Sequence, residues 1–465
     1  MGSGNHSKKK KIAGKKDDKT PTQLRNARKR RKTKLTKQSS AHRLVSSSSS
    51  TSGGDDDPSL RYLSNPTAAP IIQQATSFFQ EQGHAFEVKV GPTSGWRTVS
   101  KLAVRSQSGV LCLGLFAPGS HQLLEIPNCQ AHHPRINSAI QVLQKQCRKC
   151  DIKPYDEQTG TGSLKYVAIN IERSTGNQQV SLVWNKNANG NSNDEKEKEK
   201  EDSKLQKLCE ALIKVSKNND DRLVLHSLWV HYSNLNKYAN SIFDRDGQWE
   251  LKYGDNMVVE YLDINGAPKA PLHFPPQVFR QANIDAFRKI VEEIRNYLER
   301  KKNKSKPKRC VELYGGVGTI GLHIADLCET FVSSDENPFN KTCFEQTVAA
   351  MMDLLPGGTT TTTMMMKEIP YESKNAVDMT YTQAFRESNT IIVDPPRKGL
   401  DTEVADALCT QDKLKTLIYV SCGFAAFTRD YDTLTTKGKW KLEHAEGHVL
   451  FPGSDAIETL AFFSR

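Results

Sequence analysis

Cys422 carries the first chemical signal in this chain. It follows Leu417-Ile418-Tyr419-Val420, a short apolar run rich in strand formers, and it precedes Gly423. A strand ending on Ser421-Cys422-Gly423 brings a thiol to its carboxyl edge, where open α/β sheets hold their ligands. A solitary cysteine at such a place is more often a buried core residue. Cys422 has company, however. A glycine-rich loop lies upstream, Asp394-Pro395-Pro396-Arg397 lies between, and Glu458 follows 36 residues after the thiol. A thiol with carboxylates near it is an inventory for covalent catalysis with acid–base assistance.

The upstream stretch Val311–Leu322 reads VELYGGVGTIGL and predicts a strand, a loop at Gly315, Gly316 and Gly318, then a helix. Glycines let the backbone approach a ligand, and a helix start offers N–H donors. Glu312 stands before the loop, where a carboxylate can meet a cationic amino group. The next strand, Phe331–Ser334, ends at Asp335, 19 residues past Gly316. An acid there is placed to accept both ribose hydroxyls of a nucleoside. Such a loop serves a dinucleotide equally well, and either acid could be a helix cap or a solvated turn. Thr390–Val393 predicts a buried strand that delivers Asp394 to the same edge, with Pro395-Pro396 fixing the backbone behind it. The DPPR sequence differs from the Asn/Asp-Pro-Pro-Tyr/Phe signature of amino-group methylases, because position 397 is cationic rather than aromatic. Glu458 lies inside the apolar stretch Phe451–Phe463. Desolvation there raises a carboxyl pKa and suits a base, whereas an edge residue facing water is the plainer alternative.

These residues together resemble the uracil-C5 RNA methyltransferase family, which makes 5-methyluridine in tRNA and rRNA. The resemblance is strongest over about residues 240–465 and weaker over 85–240. FRQAN at Phe279–Asn283 is similar to the family's F-Q-x-N segment, which implies that Gln281 touches the methyl donor. The strand and loop Glu312, Tyr314, Gly315, Gly316 and Gly318, with Asp335, match the donor site, so S-adenosyl-L-methionine is the implied cofactor. DPPRKG matches the family's fourth motif, with Asp394 at the junction of pyrimidine and donor. VSC makes Cys422 the nucleophile, and FPGSDAIE aligns Glu458 with the family's base. The resemblance further implies a Rossmann-like class I methyltransferase domain, an RNA partner (the T-loop uridine of tRNA first, rRNA second) and a monomer. Departures exist. Gly423-Phe424 stands where the family has Asn-Pro after the cysteine, and Ala456 stands where a His precedes the glutamate. The cysteine cluster of bacterial relatives is not reproduced, and no N-terminal β-barrel RNA module is evident. Two rivals remain: a cytosine-C5 or amino-group RNA methylase, disfavoured by the lack of a Pro-Cys or Thr-Cys motif and of DPPY, and a catalytically silent RNA-binding protein on the same fold.

The elements that must position these residues follow from composition and pattern. The chain has 465 residues and a formal charge of +12. Residues 1–43 hold 16 Lys and Arg against two Asp, so the tail carries +14 and the rest of the chain −2. Residues 1–58 lack the apolar content that folding requires and are expected to be a disordered basic tail. Lys29-Arg30-Arg31-Lys32 is a patch for RNA or nuclear import. Nucleus, nucleolus or cytoplasm is the expected compartment, with an organelle allowed. No apolar run reaches about 18 residues, so no membrane span is expected. The N-terminus lacks a secretory h-region, and His6 stands where myristoylation needs Ser or Thr. The ten cysteines read as free thiols. Cys147 and Cys150 form one CxxC with no second pair, so no metal is expected.

Helical spacing over Ile71–Gln82 and Pro134–Gln146, with strands at Phe86–Val90, Val99–Val104, Val110–Phe116, Tyr166–Ile171 and Val180–Trp184, predicts an α+β region over 68–270. Asn185–Lys204 is polar low-complexity sequence and reads as a surface insertion. Gln277–Asn303 predicts a long amphipathic helix, and strand–loop–helix repeats from Cys310 predict a doubly wound α/β domain over 271–465. Met351–Lys374 shows no period and predicts no element.

Overall fold

The computed structural model describes residues 1–2, 57, 59–187, 195–218, 221–235, 241–245, 247–302, 308–354 and 369–465. The basic tail expected over 1–58, the start of the 185–204 insertion and the Thr/Met runs within Met351–Lys374 fall largely outside these residues.

A helix at Pro70–Glu81 leads into β1 (Phe86–Val90). Then come β2 (Val99–Gln107), β3 (Val110–Phe116), β4 (Leu123–Glu125), β5 (Leu164–Ile171), β6 (Gln178–Asn185), β7 (Leu225–Ser233) and β8 (Gln248–Gly254). β2 to β8 form one sheet in the order β4-β3-β2-β5-β6-β7-β8. β9 (Val258–Glu260) and β10 (Leu272–Phe274) pair with each other. The remaining strands are β11 (Arg309–Leu313), β12 (Thr330–Ser334), β13 (Tyr371–Glu372), β14 (Thr390–Val393), β15 (Thr416–Ser421), β16 (Lys441–Val449) and β17 (Glu458–Ser464). With β1 they make an eight-stranded sheet in the order β1-β16-β17-β15-β14-β11-β12-β13. All its pairings are parallel except those of β17 with β15 and β16.

Side-chain alternation explains the layers. Ile391 and Val393 of β14 enter one core and Ile392 the other; Leu417 and Tyr419 of β15 enter the first, Ile418 and Val420 the second. Strands buried on both faces read as unbroken apolar runs because helices cover both sides. The helices at Ile284–Lys302 and Pro338–Asp353 pack one face, while those at Pro70–Glu81, Thr402–Thr410 and Phe424–Thr436 pack the other. This is the Rossmann-like α/β arrangement expected of the C-terminal domain. The seven-stranded sheet is covered on one face by helices Pro134–Lys149 and Glu195–Lys217, against which Leu102, Val104, Val167, Ile169, Val180 and Leu182 pack.

Four expectations are corrected. First, the 68–270 region is not one structural unit, because its first helix and strand are built into the eight-stranded sheet. β1 covers the outer edge of β16, Phe79 stacks on Phe86 with ring centroids 4.4 Å apart, and Phe78 meets Phe424 edge-on. Second, the charged half of the insertion is helical from Glu195. Glu and Lys are good helix formers, the first turn is acidic, and Lys204 bonds both Glu201 and Asp151. Third, the long helix starts at Ile284 rather than Gln277. Pro275-Pro276 keeps the preceding backbone out of the helix, and Asn283 caps it, its Oδ1 accepting the N–H of Ala286 at 3.1 Å. Fourth, two single 3-10 turns, Gly321–His323 and Ala325–Leu327, replace the regular helix predicted after the glycine loop.

Candidate active site

The strand register gathers the expected residues at one edge. Leu313 pairs with both Ser334 and Val393, and Val393 pairs with Tyr419. The residues that leave the carboxyl ends of these parallel strands are therefore neighbours: Tyr314, Asp335 and Asp394, with Cys422 leaving β15 close by. The antiparallel pairing of Ser421 with Thr459 then sets Cys422 beside Glu458, the first residue of β17. Sequence periodicity put Glu458 inside the last strand. The structure puts it at the strand's start, at the same edge as the thiol.

Electrostatics at this edge are dominated by burial of acids. Glu458 is 6% exposed, and desolvation, reinforced by Asp394, pushes its carboxyl well above the usual range while Arg397 opposes the shift. Desolvation and the charge of Asp335 push Asp394 up to about 7. Cys422 is half-buried, and desolvation with Glu458 and Asp394 raises its thiol to about 11; Arg397 again pulls it down. The resting thiol is thus protonated at neutral pH. Among the described residues Arg397 is the one side chain that favours the ionised form of both Cys422 and Glu458, a role that sequence reading left unassigned. The cation at the last position of DPPR was its only signal. Gly423 also gains an explanation. A Cβ there would stand 2.4 Å from the carbonyl oxygen of Arg397, so the DPPR and SCG loops touch backbone to backbone. An asparagine at this position would not fit that contact.

The glycine loop is built from beneath. Glu312 is 1% exposed, accepts from Ser333 Oγ at 2.6 Å and from the N–H of Gly321 at 3.0 Å, and is pushed up to about 8 by desolvation. Its oxygens are committed to protein donors, so it supports the loop rather than standing open to a cationic ligand group as expected. Ser333, which holds it, was not singled out from sequence. Tyr314 takes φ of 60°, a left-handed conformation rare for a bulky residue and typical of strained functional turns. Gly316 follows at φ 56°, with open space where a side chain would project. Its N–H donates to Asp335 Oδ2 at 3.2 Å, and the N–H of Asn337 donates to Oδ1 at 2.9 Å, which fixes the carboxylate plane.

In front of this loop lies a cavity of about 1000 Å³ lined by Gln281, Asp335, Arg397 and Ala456, and on its far side by residues of the seven-stranded sheet. The residues present fit a nucleoside carrying an amino acid: an open glycine turn, an oriented carboxylate at Asp335, the amide of Gln281, and the buried, unpartnered Oε1 of Gln277. The loop carrying Ala456 is anchored to the first helix. Asp455 Oδ1 accepts the N–H of Ile71 at 2.8 Å, capping the Pro70–Glu81 helix from outside. The Cys147–Cys150 pair lies in the core of the seven-stranded sheet, where burial pushes Cys147 up to about 12. Among the described residues no His, Cys, Asp and Glu side chains converge as a metal site. No helix among them is long and apolar enough to cross a membrane.

Residues 231–464 match the family model described as tRNA (uracil-5-)-methyltransferase. An uncharacterized RNA methyltransferase of Protochlamydia amoebophila is 32% identical over 375 residues, 81% of this chain and 87% of that protein. An uncharacterized RNA methyltransferase of Lactiplantibacillus plantarum is 23% identical, over 85% of this chain and 74% of its own. The crystal structure of Pyrococcus abyssi tRNA (uracil-54, C5)-methyltransferase in complex with S-adenosyl-L-homocysteine superposes with a TM-score of 0.58 at 18% identity, covering 83% of this chain and 79% of that one.

Proposed function

This chain belongs to the tRNA (uracil-5-)-methyltransferase family, and from that premise we propose that it methylates C5 of a uridine in tRNA through a covalent Cys422 adduct. It is an S-adenosylmethionine-dependent RNA methyltransferase. The observation that carries the finer reading is the placement of Cys422 beside Glu458 and near Asp394, next to Arg397, which lines the cavity together with Gln281 and Asp335. The tRNA assignment is supported by the family description and by the Pyrococcus abyssi enzyme.

C5 of uracil is a weak nucleophile, and the residues answer that difficulty in order. The Cys422 thiolate adds to C6, and the C5–C6 π electrons move onto O4 as an enolate, which makes C5 a carbon nucleophile. When bound, S-adenosylmethionine supplies the electrophilic methyl group that C5 accepts. Gln281, Gly315, Gly316, Gly318 and Asp335 are placed to hold it, with Glu312 supporting the loop. Glu458, once ionised, is a strong base because its surroundings disfavour its charge. It takes the C5 proton; the C5–H electrons re-form the C5–C6 double bond, and Sγ leaves C6. Asp394 holds the uracil edge, and Arg397 stabilises the anionic forms of Cys422 and Glu458. A base stacked in folded RNA must be turned out to reach this edge.

The test is a covalent trap. Protein, S-adenosylmethionine and a tRNA transcript containing 5-fluorouridine are mixed and resolved on a denaturing gel. Fluorine at C5 cannot leave as a proton does, so the methylated adduct persists. A protein–RNA band that disappears in Cys422→Ala is the expected result. A shift with rRNA fragments alone moves the substrate to rRNA. No shift with any RNA, despite donor binding, overturns the reading in favour of a silent RNA-binding protein.

A further inference from the structure

β2 alternates between the two faces of the seven-stranded sheet. Leu102 and Val104 enter the helix-covered core, so Val99, Lys101 and Ala103 lie on the opposite face, where Val99 and Lys101 border the cavity. Lys101 is solvent-exposed and its ammonium stands 5.2 Å from the centre of the Phe243 ring. It makes no ion pair among the described residues. Arg97, on the same wall, lays its guanidinium over Trp96 at 4.8 Å and over Phe451 at 5.6 Å. Among the described residues this guanidinium has no carboxylate partner in hydrogen-bond range. Burial lowers the pKa of both cations, and at Arg97 Cys129 and Asp57 oppose that shift.

The acids nearby are already committed. Asp244 accepts from Ser233 Oγ at 2.7 Å and from the N–H of Asn234 at 2.9 Å. Glu336 pairs with Arg245 at 2.8 Å. The methyl donor carries no phosphate and a single carboxylate, whereas the RNA backbone presents a phosphate at every nucleotide. The cavity, about 1000 Å³, sits at the upper end of the range for small-molecule sites and has room for more than the donor. Phe451 begins the loop that leads to Glu458, and both it and Arg97 line the cavity.

We propose that Lys101 and Arg97 form a phosphate-binding wall that clamps the RNA backbone next to the turned-out uridine, across the cavity from the chemistry. The proposal rests on the RNA methylation reading and adds the surface that grips the substrate. Cations with no carboxylate in hydrogen-bond range are free to pair with an anion that enters with the substrate. The aromatic rings beneath them hold their positions without neutralising them.

The experiment measures tRNA affinity from about 50 to 200 mM salt for the full chain and for Lys101→Ala, Lys101→Glu and Lys101→Arg. Lys101→Ala is expected to weaken binding by about 3–10-fold at low salt and to reduce the log–log salt slope by about 0.7, the loss of one single-strand phosphate contact. Lys101→Glu weakens binding further, and Lys101→Arg restores it. Donor binding by calorimetry stays unchanged. Adduct yield with saturating 5-fluorouridine tRNA also stays unchanged, because the wall acts on binding and not on the thiol. Unchanged affinity and slope in both Lys101→Ala and Lys101→Glu overturn the proposal. So does loss of adduct at saturating RNA with unchanged affinity, which makes Lys101 part of the chemistry. A wild-type chain that binds tRNA but never forms the adduct overturns the parent reading instead, while the salt slopes still decide for or against the wall.

Discussion

Cys147 and Cys422 are both thiols that burial pushes upward, to about 12 and about 11 respectively, yet one belongs to each sheet and their neighbours differ. Cys147 lies wholly inside the core of the seven-stranded sheet, among Ile136, Ile140 and Leu143. Cys422 is half-buried at a strand end, between two carboxylates and a guanidinium. A raised thiol pKa is thus no mark of a nucleophile by itself. Partial exposure at a strand end and a guanidinium that favours the thiolate are what separate the two. The carboxylates follow the same division. Around the strand ends beside Cys422, Glu312, Asp394 and Glu458 are all pushed up by desolvation. On the other sheet Glu250 is held down by Lys252 and Tyr232, and Asp244 is held down by hydrogen bonds that outweigh its desolvation. The strand-end cluster holds acids raised by burial, while acids elsewhere are paired, as is Glu446 of β16, which His448 and Lys89 hold down to about 2.

The largest expected effect breaks this comparison directly. Cys422→Ala is expected to lower turnover by at least about 10⁴-fold while leaving donor binding and the melting temperature near wild type. Cys147→Ala is expected to do the reverse, removing about 1–2 kcal/mol of stability with turnover retained. Single-turnover methylation and urea unfolding of both variants provide the check. Equal catalytic losses would show that the contrast in surroundings has no functional meaning.

A smaller effect sharpens it. Arg397 favours the ionised form of Cys422 and Asp394 opposes it. Arg397→Met should therefore raise the pH at which Cys422 becomes reactive and slow turnover by about 10–100-fold at neutral pH. Asp394→Asn should lower that pH. Alkylation of Cys422 by iodoacetamide, followed across pH by peptide mass spectrometry, reads the midpoint. Shifts of the same sign in both variants would show that the pair does not control the thiol.

Much of this was legible in the residues alone. VSC, DPPR, YGGVG and the terminal glutamate each announced a strand end with chemistry attached, and parallel strands bring their ends together whatever the intervening loops do. Two kinds of information were hidden. The first is which distant edge a strand joins. Phe86–Val90 has a clear strand pattern, but nothing local says that it pairs with β16, some 350 residues later. The second is how a polar side chain is spent. Glu312 looked available to a ligand because neither Ser333 nor Gly321 advertises that it will bind it. Arg397 went unassigned because its role comes from proximity to two residues that the sequence keeps far apart. The helical start at Glu195 was missed for a different reason: its alternating Glu and Lys resemble solvated linker until the amphipathic half that follows anchors it.

Glu312 provides the smallest and most specific test. Its folded pKa, about 8, lies above the ordinary carboxylate value, so folding binds its proton more tightly than the unfolded chain does. The stability it contributes is therefore fully present below the ordinary carboxylate range and is lost as pH rises through about 8. Glu312→Gln cannot ionise. Its amide oxygen can still accept from Gly321, and its NH₂ can donate to Ser333 Oγ, so the loop keeps its support. The variant should match wild type near pH 5 and melt about 1–3 °C higher near pH 8 to 9. On the opposite sheet, Asp244→Asn should show the inverse sign. Asp244 is held below its usual value, so its contribution is present above the ordinary carboxylate range and vanishes at low pH. The asparagine variant should be less stable at neutral pH and approach wild type in acid. A melting-temperature difference for Glu312→Gln that stays flat across pH would mean that this acid ionises normally beneath the glycine loop. The contrast between raised acids at the strand ends and paired acids elsewhere would then rest on Asp394 and Glu458 alone.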